Sequence, residues 1–103
     1  MNQVIFNEIQ ALKRQLLPND RMILFGSQAR GDARPDSDWD LLVLLDKEKS
    51  NFHEERSKYG YPFVELGLKY DTYISTKIYI KKDWKNNPSM LKYNVEQEGI
   101  EIV

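Results

Sequence analysis

Two short groups of residues carry the chemistry open to this sequence. Gly26-Ser27 follows the apolar run Met22-Ile23-Leu24-Phe25, with Arg30 one helical turn further on. Asp38 and Asp40 straddle Trp39 and lead into a second apolar run, Leu41 to Leu45. A glycine between a strand and a helical turn lets an anion approach the backbone closely. Free N–H groups, a serine hydroxyl and a nearby guanidinium then supply donors and positive charge. Carboxylates at i and i+2 in extended chain point to the same side, roughly 6.5–7 Å apart along the strand. Two acids held that close repel each other unless a cation lies between them. Mg²⁺ answers that requirement, because it is typically held by one or two carboxylates together with phosphates and waters. Read alone, Gly-Ser is an ordinary turn, and an Asp-x-Asp is a cap followed by a solvated strand start. Read together, they place a phosphate cradle at one strand end and a cation site at the next.

Those side chains need elements to hold them. Residues 3 to 17 read as an amphipathic helix, with Ile5, Ile9, Leu12 and Leu16 at helical spacing on one face. Pro18-Asn19-Asp20 ends it with turn chemistry. Met22 to Phe25 read as a buried strand, Ser27 as the cap of a short helical turn through Arg30, and residues 31 to 37 as a polar loop. Leu41 to Leu45 form a second buried strand. Residues 50 to 70 look mostly helical, with Tyr59, Phe63, Leu66 and Tyr70 on one face and a kink at Gly60 or Pro62. Residues 72 to 80, rich in β-branched and aromatic side chains, read as a third strand. Asn87-Pro88 opens a last helix that Gly99 closes, and Ile100 to Val103 add a short edge strand. The expected architecture is α/β (α+β), a short mixed sheet of three to four strands. Helices pack on one face and leave the other for a ligand or partner.

Bulk properties narrow the class. A chain of 103 residues with 41% hydrophobic residues makes one domain, residues 1–103, with a single core. The balance of 15 Lys+Arg against 16 Asp+Glu argues against broad nucleic-acid binding, although a local basic patch could form around Lys77, Lys81 and Lys82. Without cysteine, disulfides and thiolate metal sites are excluded. No apolar run reaches the length of a membrane span and no signal-peptide core opens the chain, so the expectation is a cytoplasmic protein without a membrane partner.

The segment Gly26-Ser27-Gln28-Ala29-Arg30-Gly31, followed by Ser37-Asp38-Trp39-Asp40-Leu41, resembles the signature of the DNA polymerase beta-type nucleotidyltransferase superfamily. More narrowly it resembles the minimal nucleotidyltransferases of prokaryotes, often the antitoxin halves of two-gene modules with a HEPN-domain toxin. The resemblance implies that Gly26, Ser27, Arg30 and Ser37 bind the nucleotide and that Asp38 and Asp40 hold Mg²⁺ or Mn²⁺. It implies attack of an acceptor hydroxyl on the α-phosphorus of a nucleoside triphosphate, most plausibly ATP, with pyrophosphate leaving. In the antitoxin subgroup the acceptor is a side chain of the cognate toxin, commonly a tyrosine.

Members that perform this transfer usually carry a third carboxylate on a later strand. On the comparable strand here, Tyr73, Ser75, Lys77 and Tyr79 share one face and none is acidic. Asp71, just before the strand, is the nearest candidate for this third catalytic carboxylate. A one-residue bulge would bring it in, whereas regular pairing would leave it a turn residue. Glu65 is a weaker candidate, better read on a solvated helix face, and His53 lies in the charged stretch His53-Glu54-Glu55-Arg56. Two further readings stay open: a catalytically weak module that occludes a partner, and transfer to a small molecule. The thin sheet's exposed edges also leave room for a homodimer.

Overall fold

The structure, a computed structural model, describes all of residues 1–103. Its first helix, α1 (Gln3–Leu16), starts at Asn2, whose side-chain oxygen accepts from the Val4 and Ile5 N–H groups at 3.0 and 3.2 Å. Then come strand β1 (Arg21–Phe25), the single-turn helix α2 (Ser27–Arg30) and strand β2 (Trp39–Leu45). Helix α3 (Phe52–Glu55) runs through a π-helical turn at Arg56–Gly60 into α4 (Tyr61–Lys69), which carries Pro62 in its first turn. Strand β3 (Ile74–Ile80), helices α5 (Lys81–Asn86) and α6 (Met90–Glu98), and strand β4 (Ile100–Ile102) complete the chain. The break expected at Gly60 or Pro62 is thus a π turn, which bends the segment without ending it.

The sheet order is β3-β2-β1-β4. β1 lies antiparallel to both β2 and β4, while β2 and β3 are parallel and joined by the helical crossover of residues 52–69. The mixed α/β fold and its four strands match expectation, with the largest boundary shifts at two strand starts. β2 starts at Trp39 rather than Leu41, and β3 at Ile74 rather than Thr72.

Helices cover both faces of the sheet, not one. On the first face Ile5 and Ile9 of α1 and Phe63 of α4 pack on Met22, Leu24, Trp39, Leu41, Val43 and Ile74. Tyr59, Leu66 and Tyr70 join them at the margin, as their spacing predicted. On the second face Ile23, Phe25, Leu42 and Leu44 pack with Val95 of α6, flanked by Leu91 and by Trp84 of α5. The physical reason lies in β1 and β2 themselves: apart from Arg21 and Asp40 at their ends, both are unbroken apolar runs, the pattern of strands buried on both sides. Helix α5 escapes sequence reading because Lys81-Lys82-Asp83-Trp84-Lys85-Asn86 has one apolar residue and so no period. Trp84 anchors it by packing on Tyr79, ring centroids 5.1 Å apart. The next cap is Ser89, which accepts from the Lys92 N–H at 3.0 Å, and not Asn87, whose side chain donates back to the Asp83 carbonyl.

Candidate functional site

The cover on the second face stops short of one corner, and the candidate residues meet there. Phe25, the last residue of β1, stands opposite Asp40 of β2. The chain then turns at Gly26, with φ 81° and ψ −162°, a conformation essentially reserved for glycine. Gly26, rather than Ser27, is the cap residue of α2; Ser27 is its first helical residue, and no side chain caps the turn. The turn presses on the second strand: a Cβ at Gly26 would lie 2.4 Å from Asp40 Oδ2. Thus the glycine turn and Asp40 share one small space.

Asp38 is exposed and Asp40 half-buried, while Trp39 between them is buried in the core on the opposite face. Asp40 stands opposite Ser75 of β3, and the Ser75 hydroxyl donates to Asp40 Oδ1 at 3.3 Å. Burial pushes the Asp40 carboxyl up from its ordinary value, and the charge of Asp38 adds to that. The Ser75 hydrogen bond and the charges of Lys77 and Arg30 pull it partly back. A carboxylate raised by burial and a like neighbour is one that a bound cation relieves. Two hard oxygen donors with no imidazole or thiolate suit Mg²⁺ or Mn²⁺.

Arg30 and Ser37 are placed less simply. The Ser37 hydroxyl accepts from the Arg34 N–H at 2.8 Å and closes the loop that leads to Asp38. Its carbonyl accepts from the buried Gln28 side chain at 3.2 Å, which ties α2 to that loop. Arg30 donates to Glu98 at 2.9 Å and to Asp32 at 3.3 Å. Glu98 also accepts from the Gly26 N–H at 3.3 Å, so one carboxylate from the end of α6 spans two donors of the cradle. Gly99 permits this approach: a Cβ there would lie 2.5 Å from the Val95 carbonyl and 2.7 Å from Ile23.

Asp71 is not brought to the acid pair. The β2–β3 register is regular from Trp39–Ile74 to Leu45–Ile80, without the bulge that would draw it in. Asp71 occupies a left-handed turn residue, φ 54°, between α4 and β3. No three His, Cys, Asp or Glu side chains gather anywhere in the chain as a metal site. Glu65 and His53 are exposed on α4 and α3. Sequence reasoning missed Gln28, Glu98 and the pairing of Ser75 with Asp40. For Gln28 and Ser75 a signal existed, a polar residue inside the motif and the face shared with Tyr73. For Glu98 there was none, since its partners lie some 70 positions away.

A family model described as a nucleotidyltransferase domain matches residues 8–102. A Methanocaldococcus jannaschii chain named as a protein adenylyltransferase is 41% identical over 88 residues, covering 81% of this chain and 78% of that one. Among solved structures, a toxin–antitoxin with AMP-PNP superposes with a TM-score of 0.67 at 21% identity, over 100% of this chain and 73% of that chain. The complex of a tri-AMPylated Shewanella oneidensis HEPN toxin with its MNT antitoxin gives 0.62 at 20% identity, over 100% and 72%. At these identities the structural likeness is one of fold. With a family model matched across nearly its whole length and a relative 41% identical over most of both chains, this chain is a transferase that belongs to the nucleotidyltransferase domain family.

Proposed function

We propose that this chain is a cytoplasmic antitoxin that moves AMP from ATP to a hydroxyl, commonly of a tyrosine, on a HEPN-type toxin. One observation carries the reading: Asp40, two residues after Asp38, stands in contact distance of the Gly26 turn. Two resemblances support it. A relative that shares 41% identity is named for protein adenylylation, and a fold neighbour sits beside an AMPylated HEPN toxin.

In this reading the Gly26 backbone, Ser27 and Arg30 hold the phosphates, and Asp38 and Asp40 hold Mg²⁺ or Mn²⁺. The cation, when bound, supplies neutralisation of the triphosphate and of the leaving pyrophosphate. Ser75 holds the Asp40 carboxylate by its hydrogen bond, and Trp39, buried on the opposite face, anchors the strand start between the two acids. The acceptor oxygen forms a bond to the α-phosphorus as the bond to pyrophosphate breaks, and the hydroxyl proton passes to solvent. The protein's share is positioning and charge placement, made in advance by the fold.

The test is transfer of radiolabelled AMP from ATP to the cognate partner. Asp38→Ala and Asp40→Ala should each lower the rate by about 10²–10³-fold, the scale of losing one charge-stabilising group. Full activity in both variants would sink the reading. The absence of a third clustered carboxylate favours a second reading, occlusion of the partner with little chemistry. A partner that stays inhibited by the Asp38→Ala chain, without AMP on it, would select that reading.

Glu98 gives a separate prediction. Its carboxylate occupies the Gly26 N–H and Arg30, which a phosphate also needs. Glu98→Gln keeps the shape and removes the charge, so ATP should bind about three- to tenfold more tightly in a fluorescence or calorimetric titration. Weaker binding would instead make Glu98 a positioner of Arg30.

A further inference from the structure

β3 is an edge strand, and its outer side borders two grooves that run into one another. One, of about 350 Å³, lies beside the π turn and α4 and reaches Tyr73 and Ser75. The other, of about 270 Å³, continues along the strand to Ile78 and Tyr79 beneath Phe52 of α3. Arg56, Thr76 and Lys77 line both. Because the Trp39 N–H reaches the Tyr73 carbonyl, alternate residues from Tyr73 onward turn their backbone to β2. Ile74, Thr76 and Ile78 therefore turn theirs to the open side, as a ready template for another extended chain.

The lining says what kind of chain. Neither groove is lined by an acidic side chain, and neither Arg56 nor Lys77 is in an ion pair. The backbone that carries Arg56 is anchored next door, where Glu55 is buried and held by Lys47 and Ser50. Tyr61 and Tyr73 are 61% and 52% exposed along the first groove, an amount of open aromatic surface typical of contact patches. The first groove also ends beside the candidate site, because Ser75, which lines it, is hydrogen-bonded to Asp40.

We infer that the free edge of β3 docks an extended, acidic segment of the acceptor protein as an added strand and feeds its hydroxyl toward Asp40. Main-chain pairing with Thr76 and Ile78 supplies the affinity. Arg56 and Lys77 select acidic side chains, and alternate side chains of the segment, roughly 6.5–7 Å apart, enter the two grooves. The acceptor role in this inference rests on the transfer reading above; the docking edge does not.

The probe is a fluorescein-labelled ten-residue peptide of alternating glutamate and valine with one tyrosine. Its anisotropy is followed on titration with the full chain, without nucleotide, at low salt. Saturable binding is expected. It should weaken about tenfold with Arg56→Glu and disappear when alternate peptide amides are N-methylated, which removes pairing donors but keeps every charge. Equal binding of the methylated peptide would reduce the effect to bulk charge and overturn the strand-addition claim, as would no response to Arg56→Glu. The methylated probe leaves the protein untouched, so misfolding of a variant cannot mimic the result. A peptide that is captured but receives no AMP from ATP counts against the transfer reading and leaves the docking edge standing.

Discussion

Gly26→Ala is expected to lower AMP transfer by at least about 10²-fold, the scale of an ångström-level misplacement in a catalytic site. Two independent effects converge on this one methyl group. Its ideal position lies 2.4 Å from Asp40 Oδ2 and 3.3 Å from the carboxyl carbon, so the acid must swing away or the turn must open. The backbone angles there, φ 81° and ψ −162°, add about 1–3 kcal/mol of strain for any residue with a Cβ. Moving Asp40 breaks its contact with Ser75, while opening the turn displaces the N–H that faces Glu98. Either relaxation damages the cradle or the acid pair. Steady-state transfer measured beside a denaturant melt separates the terms: stability should fall by only the strain energy, and transfer by far more. Near wild-type transfer would show that Asp40 is not needed where the structure puts it.

Trp39→Ala carries the largest expected loss of stability. Trp39 is 2% exposed and packs in the twelve-residue core beneath the sheet, between the two acids in sequence and on the opposite side of the strand from them. Truncating a buried tryptophan costs about 3–5 kcal/mol. That is a large share of the ~5–15 kcal/mol that holds a typical domain together. The urea midpoint should drop steeply with an unchanged slope, as the exposed surface on unfolding hardly changes. A shift of less than about 1 kcal/mol would mean that this ring is not a keystone of the first face. Because Trp39 anchors the strand start between Asp38 and Asp40, nucleotide affinity should fall even in the fraction that remains folded.

The site was legible where it is local. Gly26, Asp38 and Asp40 announce themselves by type and spacing, and alternation correctly set Ser75 and Lys77 on the face of β3 that looks toward Asp40. What escaped depends on distant partners. Nothing around Glu98 distinguishes it from any exposed glutamate on a helix, yet it closes on Gly26 and Arg30. Helix α5 escaped because a single tryptophan replaces the usual apolar stripe. The covered second face was readable in principle, since Ile23, Phe25, Leu42 and Leu44 leave β1 and β2 polar on that side only at their ends, Arg21 and Asp40. The missing bulge before β3 was not, because register follows from pairing across the sheet and not from the strand's own residues.

The antiparallel seam between β1 and β4 has a consequence for synthesis. β1 ends at residue 25, and its second neighbour begins only at residue 100. At ~5–20 residues per second, the ribosome takes roughly 4–15 s to deliver that neighbour. Throughout this interval Met22, Ile23 and Leu24 carry an unpaired strand edge with no proline or charge among them. Such a short apolar edge is the kind of segment that pairs with copies of itself on neighbouring nascent chains. Ile100-Glu101-Ile102 ends that exposure, and Glu101 pairs with Arg21 as the seam closes. The shortest strand of the sheet thus covers its most apolar open edge, and does so last.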